Sequence, residues 1–130
     1  ISDLSRINLN DSSDSIINKI KKAKTDPLPL PSSFEELKER PEARNLLGIY
    51  SSLTDTTLDK SINEFDGKNF SEFKEKLSQV LVEKINPISK EIKKLTSDRV
   101  YLDKILIDGQ EKANIIASKK IKKMQKIIGF

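Results

Sequence analysis

From Phe70 to Leu95 apolar residues recur at every third or fourth position: Phe70, Phe73, Leu77, Val80, Leu81, Ile85, Ile88, Ile92 and Leu95. That spacing puts them along one side of an α-helix, whereas a half-buried strand needs strict alternation. Asn69 with Glu72 supplies a capping box at the start of the stripe. Pro87 interrupts it by removing the bond to the Glu83 carbonyl, which predicts a kink or a break there. This is the longest stripe in the chain, and it sets the fold class as mainly α.

Shorter stripes on either side say the same. Asp11, Ser12 and Ser13 offer N-cap oxygens to a helix carrying Ile16, Ile17, Ile20 and Ala23, with lysines crowding its C-terminal end. Ser33 with Glu36 fits a capping box for a short helix near Glu35–Arg40. Pro41 suits a helix's first turn, and Ala43, Leu46, Leu47, Tyr50 and Leu53 follow it at helical spacing. Thr54, Asp55 and Thr56 are the expected cap of the next helix, which carries Leu58, Ile62 and Phe65. Asp66-Gly67 reads as a turn. Thr96, Ser97 and Asp98 cap a helix with Val100, Leu102, Ile105 and Leu106, which Gly109 is expected to stop before a final helix. Only Ser5–Leu9 alternates, giving a short extended segment at the N-terminus.

TDPLPLPSS places Pro27, Pro29 and Pro31 at every second position, so neither a helix nor a central strand can form there. It reads as a stiff linker and a subdomain boundary; no flanking arginine supports a proline-motif ligand.

The 130 residues make one domain or a piece of a larger protein, and the missing initiator methionine marks the start as a cut or trimmed end. Cysteine, histidine and tryptophan are absent, which removes thiolate nucleophiles, imidazole bases and Cys/His zinc sites. No metal site is expected. The four glycines are scattered, so no phosphate-cradling loop exists. Glu35, Glu36 and Glu39 resemble a carboxylate cluster, but without a histidine or a metal motif they read as a solvated face. The sequence contains no apolar run that could span a membrane.

The net charge of +4 is unevenly placed. Six lysines and no acids lie between Lys112 and Phe130, leaving a net −2 for residues 1–111. On a helical wheel Lys119, Lys122, Lys123 and Lys126 share one face, with Lys112 beside them and Lys120 on the flank. Ala113, Ala117, Ile121, Met124 and Ile128 form the opposite face, expected to be buried. A one-sided basic face can engage phosphates or anionic lipid, or can simply complement the helix dipole. The lipid reading is the weaker one, because the apolar face has no aromatic residue before Phe130. Arg44 and Asn45 pose a similar choice. They can bond base edges and phosphates, or Arg44 can pair with Glu42 or Glu39 while Asn45 bonds locally.

Five ordered stretches resemble the C-terminal part of the tryptophanyl-tRNA synthetases, a class I aminoacyl-tRNA synthetase family. They are SDLSRINLND, IINKIKKAKTD, RPEARNLLGIYSSLTD, FDGKNFSEFKEKLSQVLVEKINPI and DKILIDGQEKANIIASKKIKKM. The third stretch and GKNFSEFKEKL are the most specific. The resemblance implies a helical bundle-like anticodon-binding domain. Residues 1–26 would be the exit from the nucleotide-binding catalytic fold, a strand plus a helix. Residues 27–33 would be the linker, and residues 34–130 the anticodon-binding domain.

The family joins tryptophan to its tRNA with ATP, releasing AMP and diphosphate. Its HIGH-type and KMSKS motifs belong to the catalytic half, so the resemblance implies no catalytic and no cofactor-binding residue here. ATP and magnesium would serve the parent enzyme and bind no part of this chain. The implied partner is tRNA(Trp), with Arg44, Asn45, Lys119, Lys122, Lys123 and Lys126 as candidate contacts. The parent would be a homodimer, in the bacterial cytoplasm or an organellar matrix, without a membrane partner. The alternatives are a free-standing helical protein-interaction module with a basic tail, and a basic helical binder of nucleic acid without sequence specificity.

Overall fold

The computed structural model describes residues 3–129; Ile1, Ser2 and Phe130 lie outside the described residues. Among the described residues six α-helices form: α1 (Ser13–Lys22), α2 (Phe34–Lys38), α3 (Pro41–Leu53), α4 (Leu58–Phe65), α5 (Phe70–Ser97) and α6 (Arg99–Ile128). Among the described residues there is no strand.

The capping signals act through hydrogen bonds. Ser12 Oγ accepts from the Ser15 N–H, and Ser33 Oγ from that of Glu36. Asn69 Oδ1 accepts from the Glu72 N–H, and Asp98 Oδ1 from that of Tyr101. Each satisfies a donor that the first helical turn leaves open, contributing about 1 kcal/mol. Before α4 the cap is Thr57, which lies beyond the three residues expected to cap that helix. Thr54 closes α3 instead, with its N–H and its hydroxyl both donating to the Tyr50 carbonyl.

Two compact units divide between Lys90 and Glu91. In the first, the core is built largely from the stripes: Ile16 and Ile20 from α1, Ala43, Leu46, Leu47 and Tyr50 from α3, Ile62 and Phe65 from α4, and Phe73, Leu77 and Leu81 from α5, with Leu37 of α2 beside them. At the centre Tyr50, Phe65 and Phe73 meet edge to face, with ring centroids 4.9, 5.9 and 4.8 Å apart. Such geometry sets the positive ring edge against the negative face and adds to the gain from burial. The linker residues 27–33 pack within this unit. Leu30 and Pro31 are buried, and the Leu30 N–H donates to the Lys68 carbonyl over 2.8 Å. Ser32 Oγ donates to Asp66, beside Gly67, whose φ of +67° makes the turn.

The second unit runs from Glu91 and contains the end of α5 and all of α6. Its half-buried apolar residues are Ile92, Leu95 and Leu102.

Two expectations need correction, and a third is narrowed. The N-terminal segment forms no strand among the described residues: Asp3–Ser5 is a 3-10 turn, followed by irregular backbone. Side chains hold it there. Lys19, itself buried, bonds Asp3 at 3.0 Å and Asp11 at 2.8 Å, while Asp11 also accepts the Asn8 N–H. Pro87 does not break α5, which excludes the break but not the kink expected there, and Gly109 does not stop a helix. At Pro87 the Glu83 carbonyl loses its helical donor, at a residue on the exposed side of α5. Gly109 costs a helix interior only about 1 kcal/mol, which thirty residues of α6 absorb. The stop lies at Gly129, left-handed at φ +88°, whose N–H donates to the Gln125 carbonyl.

Candidate nucleic-acid interface

Arg44 and Asn45 stand in the first half of α3, held outward because Ala43, Leu46 and Leu47 turn the opposite side of the helix into the core. Both are exposed, and among the described residues neither side chain makes a hydrogen bond or ion pair. Arg44 pairs with neither Glu39 nor Glu42 among the described residues, and Glu42 is engaged elsewhere. Lys24 Nζ lies 3.1 Å from its carboxylate. Its own backbone N–H, and then Lys24, hold the Glu42 carboxyl below its ordinary value. Arg40, four residues earlier, shows what a tied arginine looks like here. Its guanidinium donates to both carboxylate oxygens of Asp26 and to the Pro29 and Leu28 carbonyls.

A shallow, open groove runs beside Arg44 and Asn45, continuing along Gly48, Ile49, Ser52 and Leu53. Gly48 opens it: a Cβ placed there would meet nothing within 4 Å. Ser52 Oγ donates back to the Gly48 carbonyl, so that hydroxyl proton is spent within the helix.

A second hollow, about 750 Å³, lies between α1 and α5 and is lined in part by Ile17, Phe70 and Lys74. Lys74 Nζ donates to the Ala23 carbonyl at 2.6 Å, to Thr25 Oγ1 at 3.2 Å and to the Lys21 carbonyl at 3.4 Å. Its three protons close the negative end of α1, and burial pulls its pKa down. Lys74, Arg40 and Lys19 are all positioning residues that periodicity did not reveal. Their partners lie 14 to 53 residues away for Arg40 with Asp26 and Lys74 with Lys21, beyond any local pattern.

In α6, Lys119, Lys122, Lys123 and Lys126 project from one face, all exposed and with no ion pair among the described residues. The burial expected for the opposite face is absent. Ala113 and Ala117 are exposed, as are Ile121, Met124 and Ile128, which are more than half accessible. An apolar stripe is buried only where another surface covers it, which its spacing cannot specify. Among the described residues no group of acids could hold a metal ion. No described helix is long and apolar enough to cross a membrane.

No family profile matches the chain. It is similar to the tryptophan–tRNA ligase of Agrobacterium fabrum, at 50% identity over 129 residues, and to that of Mesorhizobium japonicum, at 48% over 129 residues. Both alignments take in 99% of this chain and 36% of the ligase. The tryptophan–tRNA ligase of Rickettsia felis is 46% identical over 130 residues, all of this chain and 39% of the ligase. The chain thus spans little more than a third of the length of these relatives. Along essentially its whole length, it is similar to the C-terminal portion of tryptophan–tRNA ligases.

Proposed function

We propose that this chain is the tRNA-binding part of a tryptophan–tRNA ligase and serves recognition of the tRNA(Trp) anticodon. The observation that carries the reading is the 46–50% identity to such ligases across the whole chain. The geometry supports it in two places. Arg44 and Asn45 are solvent-facing groups without partners, suited to phosphate and to base edges. The α6 lysines form a basic face whose attraction for a polyanion is not cancelled by neighbouring acids. Unpaired anticodon bases expose hydrogen-bonding edges, and this domain, poor in aromatics, would read them by polar contacts.

The whole enzyme would activate tryptophan with ATP and magnesium, transfer it to tRNA(Trp), and release AMP and diphosphate. The HIGH and KMSKS motifs are not in this sequence, so the isolated chain should not catalyse either step. The bacterial sources of the relatives favour a cytoplasmic setting, and the whole enzyme would act as a homodimer.

A second reading, a helical protein-interaction module, draws on the exposed apolar residues of α6. Binding of a tRNA(Trp) transcript, compared with transcripts altered in the anticodon, separates the two. Preference for the natural anticodon supports tRNA recognition; no RNA binding supports the interaction module. Tryptophan-dependent ATP–diphosphate exchange by the chain alone would overturn its role as a non-catalytic part.

A further inference from the structure

Arg44 is unusual on physical grounds. It sits near the start of α3, where the helix dipole disfavours a cation, and it has no carboxylate partner among the described residues to offset that. Asn45 beside it leaves both a carbonyl and an amide unpaired. Gly48 lies one turn further along the same side. Glycine lowers helix stability by about 1 kcal/mol relative to alanine, and nothing near this one would obstruct a side chain. The missing side chain leaves a gap bounded by Arg44 and Asn45, with the half-buried Ile49 and Leu53 as an apolar wall. The hollow is shallow and open to solvent, so it could take only a flat group laid against the helix.

We propose that this groove receives one unpaired nucleobase of a bound RNA. The base lies against Ile49 in the space left by Gly48, Asn45 pairs with its hydrogen-bonding edge, and Arg44 holds the adjoining phosphate. An asparagine carboxamide offers a donor and an acceptor side by side, as a base edge does. A free guanidinium matches the phosphate oxygens. The inference rests on the tRNA reading above, and it adds a specific subsite with Gly48 as a specificity-determining position.

The test uses a labelled synthetic anticodon stem–loop of tRNA(Trp), intact or with one anticodon base removed to leave an abasic sugar. Binding is followed by anisotropy for the chain and for its Gly48→Leu and Asn45→Ala variants, with circular dichroism confirming helical content. One abasic position should weaken binding by the unmodified chain by about tenfold. That penalty should vanish in both variants, because Leu fills the gap and Ala removes the edge contact. If Gly48→Leu and Asn45→Ala keep the same penalty, the subsite is wrong. If no abasic position matters while salt-sensitive binding persists, the subsite again fails but the tRNA reading survives. If the unmodified chain binds neither the stem–loop nor the whole tRNA, the tRNA reading fails and takes the subsite with it.

Discussion

Arg40 grips Asp26 with two nitrogens, Nε at 3.0 Å and Nη2 at 2.6 Å from the two carboxylate oxygens. The same guanidinium donates to the Pro29 and Leu28 carbonyls, so one side chain fastens the proline-rich segment to the start of α3. Both partners are largely shielded from water, which makes the pair stronger than an exposed one. Arg40→Ala should lower the free energy of unfolding by about 2 kcal/mol in urea denaturation. Arg40→Lys should recover only part of that, since an ammonium cannot span both oxygens.

Acid should weaken the first unit through named carboxylates. Lys19, followed by the Asn8 N–H, holds the Asp11 carboxyl below its ordinary 3.8, and the Arg40 guanidinium does the same for Asp26. Folded values below the unfolded ones mean stability that is complete above pH 3.8 and lost as pH falls through the lowered values. A pH series of denaturation midpoints should show this loss, and it should shrink in Asp11→Asn. At the alkaline end the sign reverses. Burial and Glu64 push Tyr50 from 10.0 up to about 12, so its contribution falls away between those values.

The central aromatic trio should be intolerant of truncation. Phe73 is fully buried against Tyr50 and Phe65, and Phe73→Ala should cost about 3–5 kcal/mol, measured by thermal or urea unfolding. Tyr50→Phe keeps the ring and loses only the bond from Tyr50 Oη to Glu64 Oε1. It should cost about 1 kcal/mol.

Two glycines of the last helix should respond in opposite directions. Gly109 is helical with open space around it, so Gly109→Ala should stabilise α6 by about 0.5–1 kcal/mol. Gly129 holds a left-handed cap, and Gly129→Ala should destabilise it by about 1 kcal/mol. Thermal melts of α6 by circular dichroism distinguish the two.

The lysine face can be tested by its salt dependence. If Lys119, Lys122, Lys123 and Lys126 each touch a phosphate, replacing all four by glutamine should reduce the slope of log affinity against log salt by about 3. An unchanged slope would assign them to the helix alone.

Helix positions were legible because capping and periodicity are local. Ser12, Ser33, Asn69 and Asp98 cap as their sequence neighbours predict, and the Phe73–Leu77–Leu81 face is buried as its spacing requires. What stayed hidden depends on distant partners. Nothing near Arg40 announces Asp26, and nothing near Lys74 announces the carbonyls of Lys21 and Ala23. The candidate contacts were half legible. Arg44 and Asn45 are recognisable as residue types, but their freedom from partners emerges only in the fold, where Glu42 pairs with Lys24 instead. The gap at Gly48 is equally invisible in one dimension, since it is made by what surrounds the glycine.

Tyr50 and Tyr101 are the chain's two tyrosines, and tryptophan is absent. One is buried in the first unit beside a carboxylate; the other is half exposed in α6 of the second. Each unit therefore carries its own intrinsic chromophore. Tyrosine emission from single Tyr→Phe variants can report the melting of either unit separately, without any dye attached to the protein.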